Sequence, residues 1–231
     1  MAGASGGNSS GAVGDAALVV PDVTLADLPQ PQTLRLGVLA SGSGSNFAAI
    51  ARAIAQGELK AQIPVLIYNN PKAKVAVRAA ELDIPARLLN HRHYPNREAL
   101  DAAIVETLQT HQVDWVIMAG WMRIVTPVLL GAYRDRVLNI HPSLLPAFPG
   151  IRGVEQALAA GVNVTGCTVH FAQLEVDNGP IVMQAVVPVL PGDTAERLHA
   201  RIQVQEHRIY PTAIALAAAQ SQNLSDNLSF G

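Results

Sequence analysis

The sequence predicts an α/β fold, a Rossmann-like and mostly parallel twisted sheet with flanking helices, and three observations lead to it. From Leu34 onward, apolar β-rich runs alternate with segments of helical period, the pattern of parallel strands joined by crossover helices. "DWVIMAG", residues 114–120, is a continuous apolar run, as expected of a strand buried on both faces. "LASGSGSN", residues 39–46, is a Gly/Ser loop between the first strand and the first helix, where such a fold holds an anion.

The elements follow in order. "LRLGVLA" is the first strand and "NFAAIARAIAQG" an amphipathic helix closed by Gly57. "IPVLIYNN" is a strand broken at Asn-Pro, and "KAKVAVRAAELD" the second helix. "ARLLN" precedes the helix "REALDAAIVETLQTHQ", then "DWVIMAG" and "VLNIH" complete the parallel core. After Gly150 a short helix, "GVEQALAAG", leads to two strands, "NVTGCTVHF" and "PIVMQAVVPV", joined by the turn-rich "AQLEVDNG". A long helix runs from Asp193, read as its N-cap, with a kink or break expected near Tyr210 because Pro211 lies inside it.

With 231 residues, 49% of them hydrophobic, the chain suffices for one well-buried unit. A net charge of −2 gives no basic footprint for nucleic acid or an anionic membrane, and no apolar run reaches membrane-spanning length. A single cysteine, Cys167, excludes an internal disulfide framework and fits a reducing compartment. Residues 1–33 are rich in Gly, Ser and Pro and contain no Lys or Arg. They read as a flexible or loosely attached extension without the basic region of a signal peptide, so the cytoplasm is the expected location.

In the Gly/Ser loop the third glycine of a dinucleotide fingerprint is missing, and the second strand ends in Asn69 and Asn70 rather than an acidic residue. A single phosphate on a small molecule fits better, with a tight turn lacking any ligand as the alternative. Asn139 and His141 share one face of their strand, just before Pro142, at the carboxyl end where open α/β sheets bind ligands. Asp177, in the loop between the late strands, can return to that edge, where a carboxylate would orient the imidazole and favour its charged form. Read alone it is an ordinary Asx turn. Thr168 and His170 share a strand face and fit a supporting hydrogen bond as well as a direct role. His91 and His93 have a metal-compatible spacing but no further ligands in register, so a solvated loop is the better reading. Glu206 reads as a helix-surface charge by base rate. Cys167 lies mid-strand beside no obvious base, and Ser143 lacks a nucleophile elbow, so neither metal nor covalent nucleophile is expected.

Taken together, "LASGSGSN", "AGWMRIVTP", "VLNIHPSLLPAFPG", "GCTVHF", "LEVDNGPIVMQ" and "VQEHRIYP" resemble, in collinear order, the folate-dependent phosphoribosylglycinamide formyltransferases of purine synthesis. The resemblance implies a formyltransferase domain over residues 34–231: a phosphate-binding Rossmann-like half, 34–141, and a folate-binding half, 142–231. It implies that Gly44, Ser45 and Asn46 hold the phosphate region of glycinamide ribonucleotide and Glu206 its ribose. It also implies that Arg97, Met122, Arg123, Ile124, Val125 and Asn139 contact the co-substrate 10-formyltetrahydrofolate, and that Asn139, His141 and Asp177 are catalytic. A monomer or homodimer is expected. Formyltetrahydrofolate deformylase is the alternative reading. Its relatives carry an amino-terminal regulatory domain for which residues 1–33 are too short, and the tRNA-directed formyltransferase would need a basic carboxyl-terminal domain.

Overall fold

The structure, a computed structural model, describes residues 17–229, with side chains described to residue 222. Its strands are β1 (Val19–Val20), β2 (Leu34–Ala40), β3 (Ala61–Tyr68), β4 (Ala86–Leu88), β5 (Trp115–Met118), β6 (Val137–His141), β7 (Val164–Phe171) and β8 (Ile181–Pro188). The helices are α1 (Ser45–Ala55), α2 (Val75–Glu81), α3 (Arg97–Thr110), α4 (Pro127–Ala132), α5 (Gly153–Ala159) and α6 (Ala195–Ser229). One sheet contains all eight strands in the order β1-β8-β7-β6-β5-β2-β3-β4. The pairs β2–β3, β3–β4, β2–β5 and β5–β6 are parallel, and β6–β7, β7–β8 and β1–β8 are antiparallel.

Strand alternation sorts the core into two layers. Leu36, Val38, Trp115, Ile117, Leu138 and Ile140 pack with α1 and α6, whereas Leu39, Val116, Met118 and Val137 pack with α3. The chain runs outward from β2 in one direction and from β5 in the other, so the switch point, where such folds open a crevice, lies between these strands. Loops from both meet there: the Ser41 N–H donates to the Gly120 carbonyl at 3.0 Å and the Met122 N–H to Ser41 Oγ at 2.9 Å.

Three expectations are corrected. The extension over residues 1–33 is not loose from residue 17 on, and residues 1–16 lie outside the described part. β1 adds to the edge of β8, Val23, Leu25 and Leu28 pack on the core, and the Gln30 side chain bonds the Glu58 carbonyl and the Lys60 N–H. The apolar residues of "LVVPDVTLADL" drive this docking, a signal that the Gly, Ser and Pro content obscured. Pro211 does not break α6, which is helical throughout the described residues. Asp193 does not cap α6: Thr194 Oγ1 accepts from the Arg197 N–H, and Asp193 instead takes the Arg201 guanidinium in a two-pronged ion pair, 2.7 and 3.0 Å, that holds its carboxyl down to about 2.

Candidate active site

The chemistry gathers where β6 ends. Leu138 and Ile140 are committed to the core, so Asn139 and His141 emerge together on the other face. β7 runs antiparallel beside them, with His170 opposite Asn139 and Thr168 opposite His141. Asn139 Nδ2 lies 3.1 Å from His170 Nε2, whose ring donates from Nδ1 to the Phe171 carbonyl at 2.9 Å. That leaves Nε2 facing the Asn139 amide and the Asp177 carboxylate. Thr168 Oγ1 donates to the Ser143 carbonyl and accepts from the Leu145 N–H, which ties down the turn that leaves the strand after His141.

Asp177 arrives from the β7–β8 loop. Its side chain is 7% exposed, and Oδ2 lies 3.2 Å from His141 Nδ1 and accepts from the Gly150 N–H at 2.8 Å. Oδ1 faces Asn139 Nδ2 at 3.4 Å and His170 Nε2 at 3.6 Å. Burial pushes the carboxyl upward, but the His170 contact, the Gly150 N–H and the charge of the two imidazoles outweigh it and hold Asp177 below the usual carboxylate range. The loop closes on Gly179, where a Cβ would stand 1.8 Å from the Phe171 carbonyl oxygen, so no other residue fits. His141 Nε2 faces the Phe148 carbonyl at 2.9 Å. Both ring nitrogens therefore face acceptors, an arrangement that an imidazolium satisfies with two N–H donors.

The second group surrounds the N-terminus of α1. Gly44, at φ +75°, turns the chain into the helix, and a Cβ there would lie 2.4 Å from Val75 Cγ2. Ser45 Oγ accepts from Gln203 Nε2 at 3.0 Å, and Asn46 Nδ2 donates to Glu206 Oε2 at 2.9 Å. Glu206 is 4% exposed, which corrects its reading as a surface charge. Burial pushes its carboxyl up, and the Asn46 bond offsets this only partly. Asn46 Oδ1 is buried without a partner. Asn46 thus keeps hydrogen-bonding capacity that no described residue uses.

A third group rims the switch point. Met122 and Ile124 are 75% and 50% exposed, Arg123 and Arg97 are exposed, and Val125 is buried. Arg97 opens α3, which is capped by Asn96. Met122 and Ile124 flank Arg123, whose guanidinium has no partner among the described residues, and an exposed apolar pair beside such a group suits a flat, acidic organic molecule.

The sequence model of the formyl transferase family matches residues 34–214. The chain belongs to this family. Within it, the chain is 42% identical over 180 residues to the phosphoribosylglycinamide formyltransferase of Bacillus subtilis, covering 78% of this chain and 92% of the relative. It is 43% identical over 198 residues to the bovine trifunctional purine biosynthetic protein adenosine-3, covering 86% of this chain but 20% of that protein's length. The crystal structure of glycinamide ribonucleotide transformylase 1 from Symbiobacterium toebii superimposes with a TM-score of 0.79 at 49% identity, covering 80% of this chain and 88% of that one. The chain is thus a formyltransferase with the mixed, mostly parallel sheet of that fold.

In this formyltransferase Asn139, His141 and Asp177 meet as one cluster, and Gly44, Ser45, Asn46 and Glu206 as another. Residues 122–125 stand apart on the loop after β5, and Arg97 on the first turn of α3. The two halves of the chain are not segregated: Glu206 reaches Asn46, and Asp177 reaches His141. Sequence reasoning gave His170 only an optional part and missed Gln203. The first was readable in "NIH" and "TVH", two histidines at strand spacing on neighbouring strands; no local signal marks Gln203. The "HRH" pair forms a one-turn helix in which His91 Nδ1 faces the Asn69 carbonyl. Among the described residues no three His, Cys, Asp or Glu side chains are placed to hold a metal ion, and no helix is long and apolar enough to cross a membrane.

Proposed function

We propose that the chain transfers the formyl group of 10-formyltetrahydrofolate to the amine of 5-phosphoribosylglycinamide, yielding the N-formyl product and tetrahydrofolate, as a cytoplasmic step of purine synthesis. The observation that carries this reading is His141 held between Asp177 and a carbonyl, beside Asn139, at the carboxyl end of β6. Relatives named phosphoribosylglycinamide formyltransferase over nearly their whole length support the choice of substrates.

The amine nitrogen attacks the formyl carbon, the carbonyl oxygen becomes an oxyanion, and the bond from carbon to N10 then breaks as a proton from the amine reaches N10. Asn139 donates to the oxyanion. Of its two amide contacts, the 3.4 Å approach to Asp177 is the weaker and the one exchanged for the oxyanion. His141 exchanges the Phe148 carbonyl for substrate and relays that proton, giving its own N–H proton to N10 as the bond breaks and taking the one released by the amine, while Asp177 orients the ring. Gly44, Ser45 and Asn46 take the phosphate at the positive end of α1, and Glu206 takes a ribose hydroxyl. Arg97 and residues 122–125 receive the folate. Residues 34–141 supply the phosphate loop, and residues 142–231 complete both sites.

The test is turnover of purified protein with 10-formyltetrahydrofolate, followed by folate absorbance with and without glycinamide ribonucleotide. Turnover that requires the ribonucleotide is the expected result. Equal turnover without it would make the protein a deformylase, and none in either case would refute transfer to this amine.

A further inference from the structure

Away from both clusters, a cavity of about 780 Å³ lies between the docked segment of residues 19–30, the carboxyl-terminal half of α1 and the middle of α6. It is within the size range of small-molecule sites. One of its walls is built by residues that precede the family match, which begins at residue 34. Arg52 on α1 and Arg208 on α6 line it, and neither guanidinium has a hydrogen bond or ion pair among the described residues. His207 also lines it, with Nε2 buried and without a partner among the described residues. Val23, Leu28 and Ile209 supply apolar surface. Asp22 and Glu58 also line the cavity, neither paired with either arginine, so it presents unpaired charge of both signs with the guanidinium pair on the two helices.

We propose that this cavity is a binding site for a small organic anion, its phosphate or carboxylate held by Arg52 and Arg208 and its apolar body set against Val23, Leu28 and Ile209. A planar guanidinium with no partner is the group best matched to such an oxyanion, and two of them on separate helices make a clamp. The site is distinct from the phosphate loop: Ser45 and Arg52 are seven residues apart on α1, about 10 Å along its axis. The two are nonetheless joined, since α1 begins at that loop and α6 carries Glu206 immediately before His207. Burial and the positive charges of Arg52 and Arg78 now hold His207 below its usual range, so an anion at Arg52 would raise it, which makes the ring a reporter of occupancy.

The experiment titrates the full chain with phenyl phosphate and, separately, with benzoate, following the His207 ring proton by NMR and the heat of binding by calorimetry. Saturable binding with an upward shift of the His207 titration is expected for at least one probe. It should weaken at least about tenfold in the double variant Arg52→Gln/Arg208→Gln, whose formyl-transfer rate should match that of the natural chain. The better probe identifies the oxyanion. Absence of saturable binding of either probe overturns the proposal, as does binding of equal strength in the double variant, which would place the anion at the phosphate loop.

Discussion

The two polar clusters of the active site are built on opposite plans. Around His141 each nitrogen and each Asp177 oxygen has a partner inside the protein, whereas around Asn46 a buried amide oxygen is left without one and Glu206 sits in an environment that resists its charge. On the proposed reading the first cluster acts on the reacting atoms and is held in place before substrate comes, because preorganised dipoles act without reorganisation during the reaction. On the proposed reading the second cluster recognises substrate, and its unsatisfied atom, Asn46 Oδ1, is capacity for a ligand to complete.

Breaking the first cluster should have the largest effects. His141→Asn should lower kcat about 10³-fold while KM for either substrate stays within about threefold, in steady-state kinetics, because the proton path is lost and the binding groups are not. Asn139→Ala should cost about 10²-fold in kcat by loss of the oxyanion donor; an unchanged kcat would remove Asn139 from that role.

Asp177→Asn sharpens the comparison. Activity at neutral pH should fall about tenfold or more in steady-state kinetics, since the imidazole loses the carboxylate that orients it. The same variant tests stability. Asp177 is held low in the fold, so its stabilisation is in place above the ordinary carboxylate pKa, about 4, and is lost as pH falls through the lowered value. Acid unfolding monitored by circular dichroism should therefore be less steep in the variant.

The second cluster should respond in the opposite sense. Gly44→Ala forces a Cβ against Val75 at a left-handed position and should raise KM for the ribonucleotide about tenfold with a smaller change in kcat. Glu206→Gln removes a carboxylate that burial disfavours. Its Tm should rise by about 2–4 °C, equivalent to about 1 kcal/mol, while ribonucleotide KM increases several-fold. A fall in Tm would show that the carboxylate is satisfied as it stands.

Much of this was legible in the sequence for a physical reason. Asn139 and His141 are two residues apart on one strand, and strand geometry alone puts them side by side. Asp177 lies 36 positions from His141, and its place in the loop between the late strands allows but does not dictate its return to the histidine, because a loop residue at φ +56° leaves no periodic trace. Glu206 was read wrongly on its own, since base rates place glutamate outside, and the burial of α6 against α1 is a tertiary fact. The docking of residues 19–30 escaped for a related reason: a two-residue strand is too short to show a period, and its partner edge is some 165 positions away (Val20 pairs with Gln184).

That short strand has a consequence for self-association. A sheet edge with free N–H and C=O groups is a template on which another chain can build. At one end the sheet stops at β4, only three residues long, and at the other β1 covers the middle of β8 with the Leu18 carbonyl reaching Val186. Among the described residues the docked segment thus covers the middle of the longer of the two sheet edges and shortens the run of backbone groups open to another chain.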